Sequence, residues 1–222
     1  LFLLCNPHNP VGRAWNREEL IQIGEICSKH GVIVFSDEIH ADFVWKGKHQ
    51  AFLTAKGGFE QIAVTATAPS KTFNLAGGQN SIVIIADEEL REKWDVYTTG
   101  NRVLGGSAFG YIAAQAAYEG GAEWLEQVKK QICENFEYLK EELAQKLPKA
   151  VVTPLEGTYL VFINIESILK GRTTKKFIQD ECGLAIDFGH WFGKGYENYI
   201  RINLATSPRN IKEAVKRIVE NA

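Results

Sequence analysis

The 222-residue chain is long enough for one large domain or two small ones, and its 45% hydrophobic and 23% charged residues are ordinary for a globular protein. A formal net charge of −2 removes the electrostatic reason to expect nucleic acid or an anionic membrane as a partner. The strongest apolar run, Ile82-Val83-Ile84-Ile85-Ala86, is strand-sized and far short of a membrane span.

Cys5, Cys27, Cys133 and Cys182 form no CxxC pair, which argues against structural zinc or a disulfide framework and for a reducing cytoplasm. The chain opens inside an apolar stretch, Leu1-Phe2-Leu3-Leu4, carries no targeting signal and contains no methionine. It therefore reads as a piece of a longer chain, whose other part would supply sheet neighbours to that first strand.

Residues 1–5 are expected to form a strand, followed by a rigid loop, Asn6-Pro7-His8-Asn9-Pro10-Val11-Gly12, in which two prolines restrain the residues before them. Asn16 and Glu19 have the spacing of a capping box, Leu20, Ile23 and Cys27 share one helix face, and Gly31 is a C-terminal stop. Val32-Ile33-Val34-Phe35 then reads as a buried strand, and strand, helix, strand within about 35 residues implies a parallel βαβ unit. Strands at 62–67 and 81–86 flank a loop that carries Ser70 and Lys71. Helices are expected from Asp87 to about Thr99, from Ser107 to Tyr118, and from Gly121 to about Gln145.

The pattern changes after Pro148. A strand Tyr159–Ile163, a helix Thr174–Cys182, a short strand Leu184–Ile186, a strand Tyr199–Leu204 and a helix starting at Ser207-Pro208 suggest a smaller α/β layer. The division expected is residues 1–122 as part of a large domain, and 123–222 as a connecting helix plus small domain.

Asn9, Asp37 and Lys71 each follow a predicted strand, and in a parallel sheet those strand ends share one edge, where α/β proteins bind ligands. A strand-end lysine by itself is ordinary. Beside a carboxylate and an amide donor it suits pyridoxal phosphate (PLP) chemistry, which needs an amine for the aldehyde and a carboxylate for the ring nitrogen. Asp37, Glu38, His40 and Asp42 also invite a metal reading, but neighbouring residues of an extended segment point to opposite faces, so none is assigned.

Four motifs in order, Asn6-Pro7-His8-Asn9-Pro10-Val11-Gly12, Ser36-Asp37-Glu38-Ile39-His40, Ser70-Lys71-Thr72-Phe73-Asn74 and Tyr199-Ile200-Arg201-Ile202-Asn203, resemble the class I/II aminotransferase superfamily. Within it, Asp37-Glu38-Ile39-His40-Ala41-Asp42 and Ser70-Lys71-Thr72-Phe73-Asn74-Leu75-Ala76-Gly77 are most similar to the cystathionine β-lyase-type C–S lyases. The resemblance implies a fold-type I α/β architecture: a mostly parallel sheet in a large PLP-binding domain, present in part, and a smaller C-terminal domain. It implies Lys71 as the Schiff-base lysine and Cα base, Asp37 as a buried partner of the pyridine nitrogen, and Asn9 with His40 near the phenolic oxygen. Ser70 would touch the phosphate, and Arg201 would grip the substrate α-carboxylate.

Two positions depart from the family pattern. Ala68 and Gln79 stand where many members carry a phosphate-binding serine and arginine, so phosphate binding must lean on other groups. The function implied is cleavage of a sulfur amino acid such as cystathionine to a thiol, pyruvate and ammonia, by a homodimer acting on a small-molecule substrate. A transaminase shares every residue named, and a non-catalytic protein on the same fold is the alternative from another class. The segment 99–107 matches a region that reaches toward a neighbouring subunit in the family. The loop Gly189-His190-Trp191-Phe192-Gly193 could line a substrate entrance or simply pack. The other histidines, His8, His30, His49 and His190, read as surface or internally satisfied.

Overall fold

The computed structural model describes residues 1–103 and 105–222; Leu104, in the segment read as reaching toward a second subunit, lies outside the described residues. The chain divides into two compact units. The first comprises residues 1–8, 13–125 and 156–158, and the second residues 9–12, 126–155 and 159–222.

The first unit is built on a four-stranded sheet in the order β1 (Phe2–Cys5), β2 (Val34–Asp37), β3 (Ala63–Thr67), β4 (Ile82–Ile84). The first three strands are parallel, and β4 runs antiparallel to β3. Helix α1 (Arg17–Lys29) makes the crossover from β1 to β2. Its start is the expected capping box: the Asn16 side chain accepts from Glu19 N at 2.9 Å and Glu19 Oε2 accepts from Asn16 N at 3.0 Å. Such a cap is worth about 1 kcal/mol to the helix.

Gly31, at φ +62°, ends the helix as read, but Val32 is drawn into that ending because its N–H bonds Cys27 O at 2.9 Å. The following strand therefore starts at Val34, two residues later than the hydrophobic run suggests, and extends to Asp37. Leu4, Leu20, Val34, Phe52, Phe59 and Ala63 form the core beneath it. Gly24 lets α1 approach that core, since a Cβ there would lie 2.2 Å from the Phe59 ring.

The other side of this sheet carries the expected strand and one departure from the expected loop. Ile82 and Ile84 are 42% and 44% exposed, so the most apolar run of the sequence is a strand as read, short and half-open. The residues after β3 form a one-turn helix, α2 (Pro69–Thr72), where a loop was expected. Pro69 takes its first position, where a missing N–H costs nothing, and Thr72 Oγ1 donates to Asp42 Oδ2 at 2.7 Å. Helices α3 (Glu88–Gly100) and α4 (Ala108–Gly120) follow near the expected bounds, capped by Asp87 and Ser107.

Helix α5 (Ala122–Lys146) leads into the second unit. There a sheet in the order β5 (Val151–Val152), β6 (Leu160–Asn164), β8 (Tyr199–Asn203), β7 (Asp187–Phe188) is antiparallel throughout. The one-turn helix α6 (Glu166–Leu169) and the long helix α7 (Pro208–Asn221) complete it, the latter burying Ile211, Val215 and Ile218. The expected helix Thr174–Cys182 is a π-helical turn over Lys176–Glu181. Leu184 N bonds back to Ile178 O at 3.0 Å, so 184–186 close that turn and pairing with β8 begins only at Asp187. Ser207 has cap geometry but makes no capping side-chain bond, leaving Pro208 to set the helix start. Among the described residues no helix is long and apolar enough to cross a membrane.

Candidate active site

In the first unit, the carboxyl ends of β1, β2 and β3 share one edge, and cross-strand backbone bonds tie them there: Asn6 N to Asp37 O at 2.9 Å and Glu38 N to Ala66 O at 2.8 Å. Asp37 stands at the end of β2, and Lys71 follows the end of β3 on α2. Both groups thus lie along the edge where a parallel sheet offers a ligand its strand ends.

The burial expected for Asp37 is not found. Its side chain is exposed, and one oxygen, Oδ1, accepts from Ile39 N at 3.1 Å. The buried carboxylate is its neighbour Glu38, at 4% exposure, as the alternation of an extended chain requires. Glu38 Oε1 accepts from Ser36 Oγ at 2.8 Å and from Phe52 N at 3.0 Å, and Oε2 meets His49 Nε2 at 2.7 Å. This carboxylate anchors the 49–52 segment to the end of β2 and so rigidifies the turn that carries Asp37 and His40. His49 is half-buried and held at Nε2 alone; its Nδ1 is buried without a hydrogen-bond partner among the described residues, so it is neither a surface histidine nor a fully satisfied one. His40 is buried at 3%, and Ser70 and Lys71 are half-buried. The departures flank them: Ala68 is buried just before α2, and Gln79 is exposed at φ +48°.

The second unit holds Asn9 and Arg201. Sequence reasoning grouped Asn9 with Asp37 and Lys71; the structure bonds it to Arg201, whose Nη1 donates to Asn9 Oδ1 at 2.5 Å. Arg201 Nε and Nη2 both donate to Asp187 Oδ2, at 3.0 and 2.6 Å. The guanidinium carbon lies 4.7 Å over the Phe192 ring, so Phe192 packs on the arginine in a cation–π contact. Phe192 in turn meets Phe162 edge-on, while Trp191 is 59% exposed. Tyr159 keeps its phenol protonated to higher pH than usual because burial disfavours the anion, an effect Arg201 partly offsets.

Sequence reasoning missed two contributors. Asp187 gave no local signal, since its partner is a cross-strand neighbour 14 residues on. Asn135 sits among the buried positions of α5; its Nδ2 donates to Leu204 O and Thr206 O, both at 2.9 Å, and so ties down the end of the strand that bears Arg201.

An amine and a carboxylate on adjacent strand ends, over a mixed sheet with a parallel βαβ unit, define a ligand-binding edge of the aminotransferase kind, and the chain belongs to that family: it matches Aminotransferase class I and II over residues 1–218. It is 37% identical to cystathionine beta-lyase PatB of Bacillus subtilis (strain 168), covering 98% of this chain and 57% of PatB. Among solved structures, it resembles cystalysin from Treponema denticola, which contains a pyridoxal 5'-phosphate cofactor, with TM-score 0.92 and 32% identity over 99% of this chain and 56% of that one. It also resembles the PLP-bound C-S lyase from Staphylococcus hominis, with TM-score 0.90 and 32% identity over 99% and 56% of the two chains. The chain therefore has the fold-type I architecture and spans little more than half the length of these relatives.

Proposed function

We propose that the protein to which this chain belongs is a PLP-dependent C–S β-lyase acting on a sulfur amino acid such as cystathionine. The observation that carries this reading is the placement of Asp37 and Lys71 along the carboxyl edge of adjacent parallel strands, in a chain 37% identical to a cystathionine beta-lyase.

The residues present fit the cofactor. Lys71 offers an amine to an aldehyde, and the outer oxygen of the exposed Asp37 carboxylate is available to a pyridinium nitrogen. Asn9 and His40 are assigned to the phenolic oxygen, and Ser70 to the phosphate. When bound, pyridoxal phosphate supplies an electron sink that stabilises negative charge at the substrate Cα.

Arg201 binds and orients the substrate α-carboxylate through its planar fork. Lys71 takes the proton from Cα, and Asp37 holds its negative charge beside the ring nitrogen. The Cβ–S bond then breaks with both electrons leaving on sulfur, and water completes the conversion to thiol, pyruvate and ammonia.

Transamination uses the same residues up to proton removal, so the fate of the substrate must be measured. With the full-length protein, release of pyruvate from cystathionine without added keto acid supports the lyase reading. Strict dependence on a keto acid would make it a transaminase. We further propose that the protein works as a homodimer in the cytoplasm, where four free cysteines remain reduced.

A further inference from the structure

Arg201 and Asp187 are direct cross-strand partners on β8 and β7, so the ion pair between them is built into the register of the sheet. Arginine has five N–H groups in a fixed planar fork. Three of them are engaged, Nε–H and one Nη2–H by the single oxygen Asp187 Oδ2 and one Nη1–H by Asn9 Oδ1. Among the described residues this leaves one N–H on Nη1 and one on Nη2, two donors on neighbouring nitrogens for the oxygens of a carboxylate. Phe192 covers one face of the group at 4.7 Å.

We propose that Asp187 is a positioning residue for substrate recognition: it locks the side of the Arg201 guanidinium so that the remaining pair of donors is held ready for the α-carboxylate. This rests on the reading of Arg201 as the carboxylate-binding residue. The physical reason is that a guanidinium on a flexible stem must otherwise lose its freedom when the ligand arrives, and Asp187 with Phe192 removes that freedom in advance. Because Asp187 also offsets the arginine's charge, the grip depends on matching two oxygens, and not on charge alone.

The test uses the full-length, PLP-loaded protein and two probes that cannot be turned over because they lack a Cα hydrogen: an α-methyl amino acid and its carboxamide. Calorimetry gives their affinities in the unaltered protein and in Asp187→Ala, Asp187→Asn and Arg201→Ala. Asp187→Ala is expected to weaken the carboxylate probe about tenfold or more while leaving the carboxamide unchanged, and Asp187→Asn, which keeps an acceptor oxygen, to lose less. The Arg201 Nε–H resonance should be sharp in the unaltered protein and broadened in Asp187→Ala. Unchanged or tighter carboxylate binding in Asp187→Ala overturns the proposal, as does an equal loss for both probes, which would mark a general structural role. An unchanged carboxylate affinity in Arg201→Ala overturns it differently, by removing the parent reading of Arg201.

Discussion

His49 Nε2 lies 2.7 Å from Glu38 Oε2, and through this contact the segment after the first unit's second strand is clamped to the residue next to Asp37. Glu38 is nearly inaccessible and serves three donors at once. Replacing Glu38 with Ala leaves the Phe52 N–H and the Ser36 hydroxyl without this acceptor, and should cost about 3 kcal/mol, within the range for breaking a buried charged network. Urea unfolding of the full-length protein would measure it, and a loss below about 0.5 kcal/mol would contradict the clamp.

Thr72 and Asp42 should behave as a pair. The hydroxyl is buried and donates to the carboxylate at 2.7 Å, holding the one-turn helix that presents Lys71. Thr72→Val keeps the shape and removes the donor, so a destabilisation of about 1–2 kcal/mol is expected. A double-mutant cycle with Asp42→Asn should return a coupling energy clearly different from zero.

Asn135→Leu should destabilise by about 1–2 kcal/mol despite placing a better helix former on an otherwise apolar face, because Leu204 O loses this donor while Thr206 O keeps Gln131 Nε2 at 2.7 Å. Denaturant midpoints of the two forms decide this. An increase in stability would show that the position is an ordinary core site.

His8 carries a pH-dependent contribution of known sign. Burial, and secondarily the nearby Arg13 charge, hold its pKa below the usual 6.5. Between 6.5 and the lower folded value the unfolded chain binds more protons, so this contribution falls as pH drops through that window and is level above it. An NMR titration of His8 should give a midpoint below 6.5, and His8→Gln should flatten the acid limb of the stability curve there.

Much of the first unit was legible in local chemistry. Asn16 with Glu19, Asp87 and Gly31 specify helix ends through bonds made within a few residues and act as read, and Ser107 caps a helix it was expected only to begin. What local pattern did not carry is burial and long-range partnership. The run Ile82–Ile84 is as apolar as any core strand yet half exposed, because exposure depends on what lies against a strand and not on the strand itself. Asp37 and Glu38 show the same limit: alternation says they diverge, but only the fold says which one is buried. Asp187 and Arg201 meet through strand register across 14 residues, and Asn9 reaches Arg201 across 192, distances over which no spacing rule operates.

Lys71 is proposed as the amine that holds pyridoxal phosphate. The most direct measurement is the visible absorbance of the purified full-length protein mixed with pyridoxal phosphate and freed of excess, compared between the unaltered form and Lys71→Ala. A protein-bound visible band that disappears in Lys71→Ala, in a variant that still melts cooperatively, is the predicted result. A band that persists in Lys71→Ala, or no band in the unaltered protein, would rule out this role for Lys71.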